Sequence, residues 1–292
     1  MKQTLFTGTG VAIITPFTQT GIDFDKLEKL LEFQIDNKTD SIIICGTTGE
    51  TPTMTPKEQI EAINFTVKTV GGRIPVIAGA GSNNTNGAVN ASKAAQEAGA
   101  DAILSVVPYY NKPTQRGMHA HFEAVANAVD IPIVLYNVPG RTVASLTVDT
   151  IKSLAEIDNI VAIKECVLSQ VAELVRVCPS DFSVYTGDDP VFLPTLAYGG
   201  KGLISVMANV IPYDTHMIYE HFINGDIDKA RELQLKALPL IRALFIESNP
   251  APTKAALNMM GMEVGQCRLP LVPMEQANLE ILTTVLADYG LI

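Results

Sequence analysis

The chain has 292 residues, 47% of them apolar and 18% charged, with a formal net charge of −10. That is enough apolar material for two ordinary domains or one large barrel, and the acidic balance weighs against nucleic acid or anionic membrane as a partner. No apolar run reaches the length of a membrane span, and segment 2–8 has no adequate apolar h-region for an export signal, so the expectation is a cytoplasmic protein that binds small molecules.

In chain order, short apolar runs alternate with amphipathic segments. A strand predicted at 10–15 leads to a helix at 25–37, 41–45 to 56–70, 75–79 to 85–98, and 102–107 to 115–128. Strands at 133–137, 161–165 and 183–186 lead to helices at 148–157, 170–177 and 190–198, before a last strand at 202–205. Thr55-Pro56-Lys57-Glu58 supplies a cap, a proline at the first helical position and an acid in the first turn, and Asp188-Asp189-Pro190 is similar. Beyond about residue 210 only helices are predicted, at 213–222, 226–245, 252–260 and 274–289.

Strands that are nearly continuous apolar runs, alternating with helices, indicate a parallel sheet covered by helices. The count of eight favours a closed (β/α)₈ TIM barrel over an open sheet. The expected fold class is therefore α/β, a barrel over residues 1–224 with a C-terminal helical extension over 225–292. No G-x-G-x-x-G follows the first strand and no G-x-x-x-x-G-K-[ST] occurs, so nucleotide binding loses support. The four cysteines have no C-x-x-C spacing, which argues against a disulfide framework or zinc site. Cys45 and Cys166 read as small apolar groups at strand ends. His119 and His121, two apart on a predicted helix, point about 200° away from one another, which argues against a shared metal.

In such barrels the chemistry sits at the C-terminal ends of the strands. Lys164 closes the apolar run Asn159-Ile160-Val161-Ala162-Ile163-Lys164. A charged lysine there is costly unless it is paired or reaches water. A neutral amine in an apolar pocket is a nucleophile whose natural partner is a carbonyl carbon. Period-two alternation puts Val134 and Tyr136 on one face of the fifth strand and Ala162 and Lys164 on one face of the sixth. Ile133, Leu135, Val161 and Ile163 then face the helices, and Tyr136 and Lys164 point together into the barrel mouth. Gly46-Thr47-Thr48-Gly49-Glu50 after the second strand is a tight turn suited to a carboxylate or phosphate; on spacing alone an ordinary glycine-rich turn fits equally well. Arg141 offers a fork to a carboxylate. These parts suit Schiff-base chemistry on a small α-keto acid, with Tyr136, Thr47 and a second tyrosine carrying protons, and with no metal or cofactor.

At Gly46–Glu50, Tyr109-Tyr110-Asn111, Tyr136-Asn137-Val138-Pro139-Gly140-Arg141-Thr142, Ile163-Lys164-Glu165, Gly187-Asp188-Asp189, Gly202-Leu203-Ile204-Ser205-Val206 and Arg268-Leu269-Pro270-Leu271, the chain resembles the dihydrodipicolinate synthase family from about Phe6 to its end. The resemblance implies a pyruvate-dependent enzyme of the class I aldolase type, in diaminopimelate and lysine biosynthesis, that condenses pyruvate with aspartate semialdehyde. By resemblance, Lys164 forms the Schiff base, and Tyr136, Thr47 and Tyr110 form a proton relay, with Tyr110 reaching a neighbouring subunit. Thr48, Arg141, Gly187 and Ile204 bind substrate. The implied assembly is a homotetramer of tight dimers, favoured over a dimer.

Two departures stand out. After Lys-Glu the family commonly has Ala-Ser/Thr-Gly-Asn, where this chain has Cys166-Val167-Leu168-Ser169. Lysine-inhibited members bind lysine with a histidine, a glutamate, an asparagine and a tyrosine. Asn83 and Tyr109 match the last two, but Gln59 and Gly87 stand at the first two positions, so the expectation is little or no lysine inhibition. Within the same superfamily, an N-acetylneuraminate lyase or keto-deoxy sugar acid aldolase is the competing reading. Gly140-Arg141-Thr142 and the Thr47-Thr48 pair weigh against it. A non-catalytic keto-acid-binding barrel would be expected to have lost part of the constellation, which is intact here.

Overall fold

The computed structural model describes residues 2–292. Eight parallel strands close into one barrel in sequence order: β1 Gly8–Ala12, β2 Ser41–Ile44, β3 Val76–Gly79, β4 Ala102–Val106, β5 Ile133–Asn137, β6 Ile160–Glu165, β7 Ser183–Thr186 and β8 Gly202–Ser205. The helices in chain order are α1 Phe24–Asp36, α2 Pro56–Val70, α3 Thr85–Glu97, α4 Gln115–Ala126, the short α5 Pro139–Thr142, α6 Val148–Leu154, α7 Leu168–Val177 and α8 Phe192–Ala197. After β8 come α9 Pro212–Ile223, α10 Ile227–Leu244, α11 Ala251–Met259 and α12 Gln276–Tyr289.

The sequence pattern explains most starts. Thr55 caps α2 in a reciprocal capping box with Glu58, with Pro56 in the first turn. Where β1 closes on β8, Gly8 pairs with Gly202, and a Cβ on Gly202 would lie 2.3 Å from the Gly8 carbonyl oxygen. Glycine is thus required at the seam by close backbone approach.

Two details depart from the period-two reading. β1 begins at Gly8 and ends at Ala12. Ile13 and Ile14 are buried but lie beyond the strand, the Ile14 N–H donating to Asn209 Oδ1 at 3.1 Å. On β6 the register slips, Ile133 pairing with Ile160 and Val134 with Ala162. The extra residue, Val161, packs with the barrel interior instead of facing the helices. A bulge shifts the phase by one residue, after which Ala162, Ile163 and Lys164 resume the expected alternation.

The interior is packed, not hollow. Ala12, Ile43, Ile77, Leu104, Val134 and Ala162 fill it. Phe6, just before β1, stacks on Tyr185 with ring centroids 4.4 Å apart, and the Tyr185 hydroxyl donates to the Phe6 carbonyl at 2.8 Å. Lys2 laces the same end: its Nζ donates to the carbonyls of Ile157 (2.8 Å), Ile160 (2.6 Å) and Ala155. The C-terminal helices share one buried apolar cluster with β1, α1, β2 and α2, which brings α11 against the mouth end of β2. Among the described residues no helix is long and apolar enough to cross a membrane.

Candidate active site

The strand C-termini surround a cavity of about 260 Å³. Lys164, Tyr136, Thr47, Thr48, Arg141 and Gly187 all line it. Its centre is one rung of the sheet, since Tyr136 on β5 is the register partner of Lys164 on β6. Both are nearly buried, at 6% and 5% exposure. The Lys164 amine lies 4.4 Å from the centroid of the Tyr136 ring and has no hydrogen-bond or ion-pair partner among the described residues.

The next rung faces the other way and serves as a brace. Glu165 is fully buried, and each of its carboxylate oxygens accepts from Asn137 Nδ2 at 3.0 Å, one also accepting from the Val167 N–H at 2.9 Å. Burial pushes its carboxyl up to about 7, against the hydrogen bonds from Asn137 and the backbone. Asn137 Oδ1 in turn accepts from the Leu146 N–H at 3.0 Å. This network fixes β5 to β6 directly beside the Tyr136–Lys164 rung.

The turn after β2 is held from behind. The Gly46 and Gly49 carbonyls accept from the Thr51 hydroxyl at 3.0 Å and the Thr15 hydroxyl at 2.8 Å. The N–H groups of Thr47 and Thr48 have no partner among the described residues, as an anion-binding turn requires. Thr48 Oγ1 accepts from Asn249 Nδ2 at 2.9 Å, so its own hydrogen is directed elsewhere. Cys45 and Glu50 flank the turn with φ of 55° and 58°, a left-handed conformation costing roughly 1 kcal/mol or more per residue. Glu50 is locked in place: it is 2% exposed, pairs with buried Lys254 of α11 at 2.6 Å, and accepts from the Arg268 N–H at 2.8 Å.

Other predicted residues lie elsewhere. Tyr110 is 88% exposed and Tyr109 38% exposed, both outside the cavity. Asn83 is beside them, its Nδ2 donating to the Tyr109 carbonyl at 3.2 Å. Ile204 is fully buried in the barrel interior, and Val206 contributes to the lining from that loop. Cys45 is buried at the end of β2, as the sequence suggested. Cys166 lines the cavity, and burial pushes its thiol up to about 12, which keeps it protonated near neutrality. A Cβ on Gly187 would lie 2.5 Å from both Cys166 Sγ and Lys164 Cε. His121 is buried with Nδ1 3.0 Å from Thr85 Oγ1, and His119 Nε2 lies 3.1 Å from Ser153 Oγ. Among the described residues no three His, Cys, Asp or Glu side chains converge as a metal site.

Sequence reasoning missed Asp188, Phe245 and Asn249 as lining residues. Asp188 read as a helix start and as part of the Gly187-Asp188-Asp189 motif, with no role for its side chain. Asn249 sits in Ser248-Asn249-Pro250, where proline marks a turn but nothing indicates that the turn reaches Thr48.

Comparison with known proteins fits this geometry. Residues 5–288 match the model of the dihydrodipicolinate synthetase family. The chain is 58% identical over 292 residues to the 4-hydroxy-tetrahydrodipicolinate synthase of Acetivibrio thermocellus, covering 100% of both. A crystal structure of the dihydrodipicolinate synthase of Cyanidioschyzon merolae with lysine bound superimposes with a TM-score of 0.96 at 41% identity, over 99% of this chain and 100% of that one. A structure of a monomeric dihydrodipicolinate synthase variant superimposes with a TM-score of 0.97 at 40% identity, over 99% and 98%.

Proposed function

The chain belongs to the dihydrodipicolinate synthetase family, and we propose that it joins pyruvate to L-aspartate 4-semialdehyde through a Schiff base on Lys164. It is a lyase of lysine and diaminopimelate biosynthesis. The observation that carries the mechanism is the Tyr136–Lys164 rung: a nearly buried amine without an ion-pair partner, held 4.4 Å from a phenol ring in a cavity closed at one side by the Thr47–Thr48 turn.

Lys164 Nζ attacks the keto carbon of pyruvate and water leaves, giving an iminium. Loss of a methyl proton gives the enamine, which adds to the aldehyde carbon of the second substrate. The amine of that substrate then attacks the former keto carbon, closing the ring and releasing Lys164. Tyr136 shuttles protons through these steps, relayed by Thr47 and by Tyr110 of a neighbouring subunit. Thr48 and the backbone near Ile204 hold the pyruvate carboxylate. The Asn249 hydrogen bond to Thr48 Oγ1 supports this role, because it leaves the threonine hydrogen free to donate. Gly187 gives the lysine chain room, and Arg141 receives the carboxylate of the semialdehyde. The exposed Tyr109 and Tyr110 support an assembly that covers them, here a cytoplasmic homotetramer built from dimers. Residues 1–224 are the barrel unit and 225–292 the helical unit packed on it.

The test is turnover of pyruvate with aspartate semialdehyde, together with borohydride trapping of pyruvate. The expected outcome is turnover, and reduced pyruvate recovered on the peptide holding Lys164. Trapping without turnover would redirect the reading to the sugar-acid aldehydes.

Two further outcomes follow from the same reading. Gly187→Ala is expected to lower kcat by roughly 100-fold by displacing the amine about 1 Å, with a near-normal thermal melt, because the new methyl group meets flexible side-chain atoms. Steady-state kinetics beside a melting curve checks both halves. L-lysine is expected to inhibit weakly or not at all. Gln59, at the histidine position of lysine-inhibited members, donates to the Met54 carbonyl at 3.1 Å, and Gly87 offers no carboxylate to the ligand ammonium. A sub-millimolar inhibition constant for lysine would overturn this.

A further inference from the structure

A short chain of buried polar side chains runs from α11 to the Thr47–Thr48 turn. Asn249 stands just before α11, and Thr253 lies four residues on, in the first turn of that helix. The Thr253 hydroxyl donates to Asn249 Oδ1 at 3.0 Å, and Asn249 Nδ2 donates to Thr48 Oγ1 at 2.9 Å. All three residues are buried, Thr253 completely. Thr48 and Asn249 line the cavity, whereas Thr253 sits behind them and does not.

The order of donors along this chain decides which way the Thr48 hydrogen points. An asparagine amide has one accepting end and one donating end, so it presents opposite characters to its two neighbours. A fully buried hydroxyl needs an acceptor for its hydrogen, and Asn249 Oδ1 is the acceptor that Thr253 has among the described residues. That fixes the oxygen toward Thr253 and the NH2 toward Thr48. With the amide turned over, Asn249 would donate to Thr253 and strand the Thr253 hydrogen in the interior. Thr48 would then donate to the amide oxygen, and its hydrogen would be lost to the cavity. Donation by Thr253 also polarises the amide, which strengthens the bond that Nδ2 makes to Thr48.

We propose that Thr253 is a positioning residue: from outside the cavity it sets the direction of the Thr253–Asn249–Thr48 chain, so that the Thr48 hydroxyl donates into the site. This rests on the reading that Thr48 holds the pyruvate carboxylate, and adds the residue that keeps Thr48 a donor.

The experiment is a double-variant cycle of Thr48→Val and Thr253→Val, with Thr253→Ser as the conservative control. Each protein is titrated with pyruvate, both in turnover with aspartate semialdehyde and by borohydride trapping at Lys164. Thr253→Val has nearly the shape of the wild type without the hydroxyl. It is expected to raise KM for pyruvate, and the pyruvate concentration that half-saturates trapping, about three- to tenfold, with kcat within about twofold of wild type. Thr253→Ser, which keeps the donor, restores both values. In the Thr48→Val background the Thr253→Val change adds nothing further, because its whole effect passes through the Thr48 hydroxyl. Unchanged pyruvate affinity in Thr253→Val would overturn the proposal. So would equal impairment by serine and valine, or effects that multiply in the double variant, since either marks a packing role. Thr253→Ala removes the same hydroxyl with less bulk and decides the matter if the valine variant does not fold. Thr48→Val with undiminished pyruvate affinity would defeat the carboxylate reading itself and the proposal with it, a result distinguishable from failure at Thr253 alone.

Discussion

Lys164→Ala is expected to leave a folded protein whose turnover falls by about three orders of magnitude or more. Among the described residues no other lysine lines the cavity. Lys254, buried in α11, is paired with Glu50 at 2.6 Å and donates to the Gln266 carbonyl at 3.1 Å, so no second amine is available to form the adduct. Lys164→Arg separates the covalent role from an electrostatic one. It keeps a positive charge in the cavity but cannot form an imine, and it is expected to be as inactive as the alanine variant. Truncating Lys164 breaks no ion pair and leaves the outward Glu165–Asn137 brace in place, so both variants should melt within a few degrees of wild type. Kinetics, borohydride trapping and melting curves on the same preparations decide the matter. Appreciable turnover by the arginine variant would sink the Schiff-base mechanism.

The second large effect is on stability and begins far from the amine in sequence. Lys254→Met is expected to destabilise the fold by roughly 3–5 kcal/mol, because it leaves the Glu50 carboxylate buried without its cation. At about 2–4 °C per kcal/mol for larger chains, the melting temperature falls by roughly 10 °C. Burial lowers the Lys254 amine, opposed by the Glu50 charge, and its Nζ also lies 4.5 Å from the centroid of the Phe17 ring. The double variant Glu50→Leu/Lys254→Met is expected to recover much of the loss, since an apolar pair replaces two desolvated charges. Activity should not recover with it. Glu50 holds the left-handed end of the Thr47–Thr48 turn, and its link to the Arg268 N–H goes with the carboxylate. A melt beside a KM for pyruvate separates the two effects. A single variant as stable as wild type would show that the pair contributes nothing net.

The barrel was legible because each strand is a continuous apolar run and each helix an amphipathic one. The Tyr136–Lys164 rung was legible because strand alternation survives on both sides of the β6 bulge. Val161 was misplaced by the same logic, since a bulge inserts a residue without any glycine or proline to mark it. Asp188 stood in a recognised motif, but its place on the cavity wall was hidden because it also read as a helix cap. Asn249 and Phe245 reach the cavity from about 80 residues beyond Lys164, and nothing local in Ser248-Asn249-Pro250 encodes that distance. The left-handed conformation at Glu50 was invisible for a related reason: the neighbours that hold it there, Lys254 and Arg268, come from the far end of the chain.

The stacked rings of Phe6 and Tyr185, with the filled interior above them, make the barrel a vessel with one opening. Traffic through a single door is ordered by depth. In the reaction proposed here, the keto acid bonded to Lys164 would occupy the floor and arrive first, and an aldehyde seated against Arg141 would cover its way out. Water expelled by that first condensation would leave past the place the second substrate takes. The finished ring would have to clear that doorway before another keto acid could enter. For that reaction the expected kinetics are those of a queue, with pyruvate at its head.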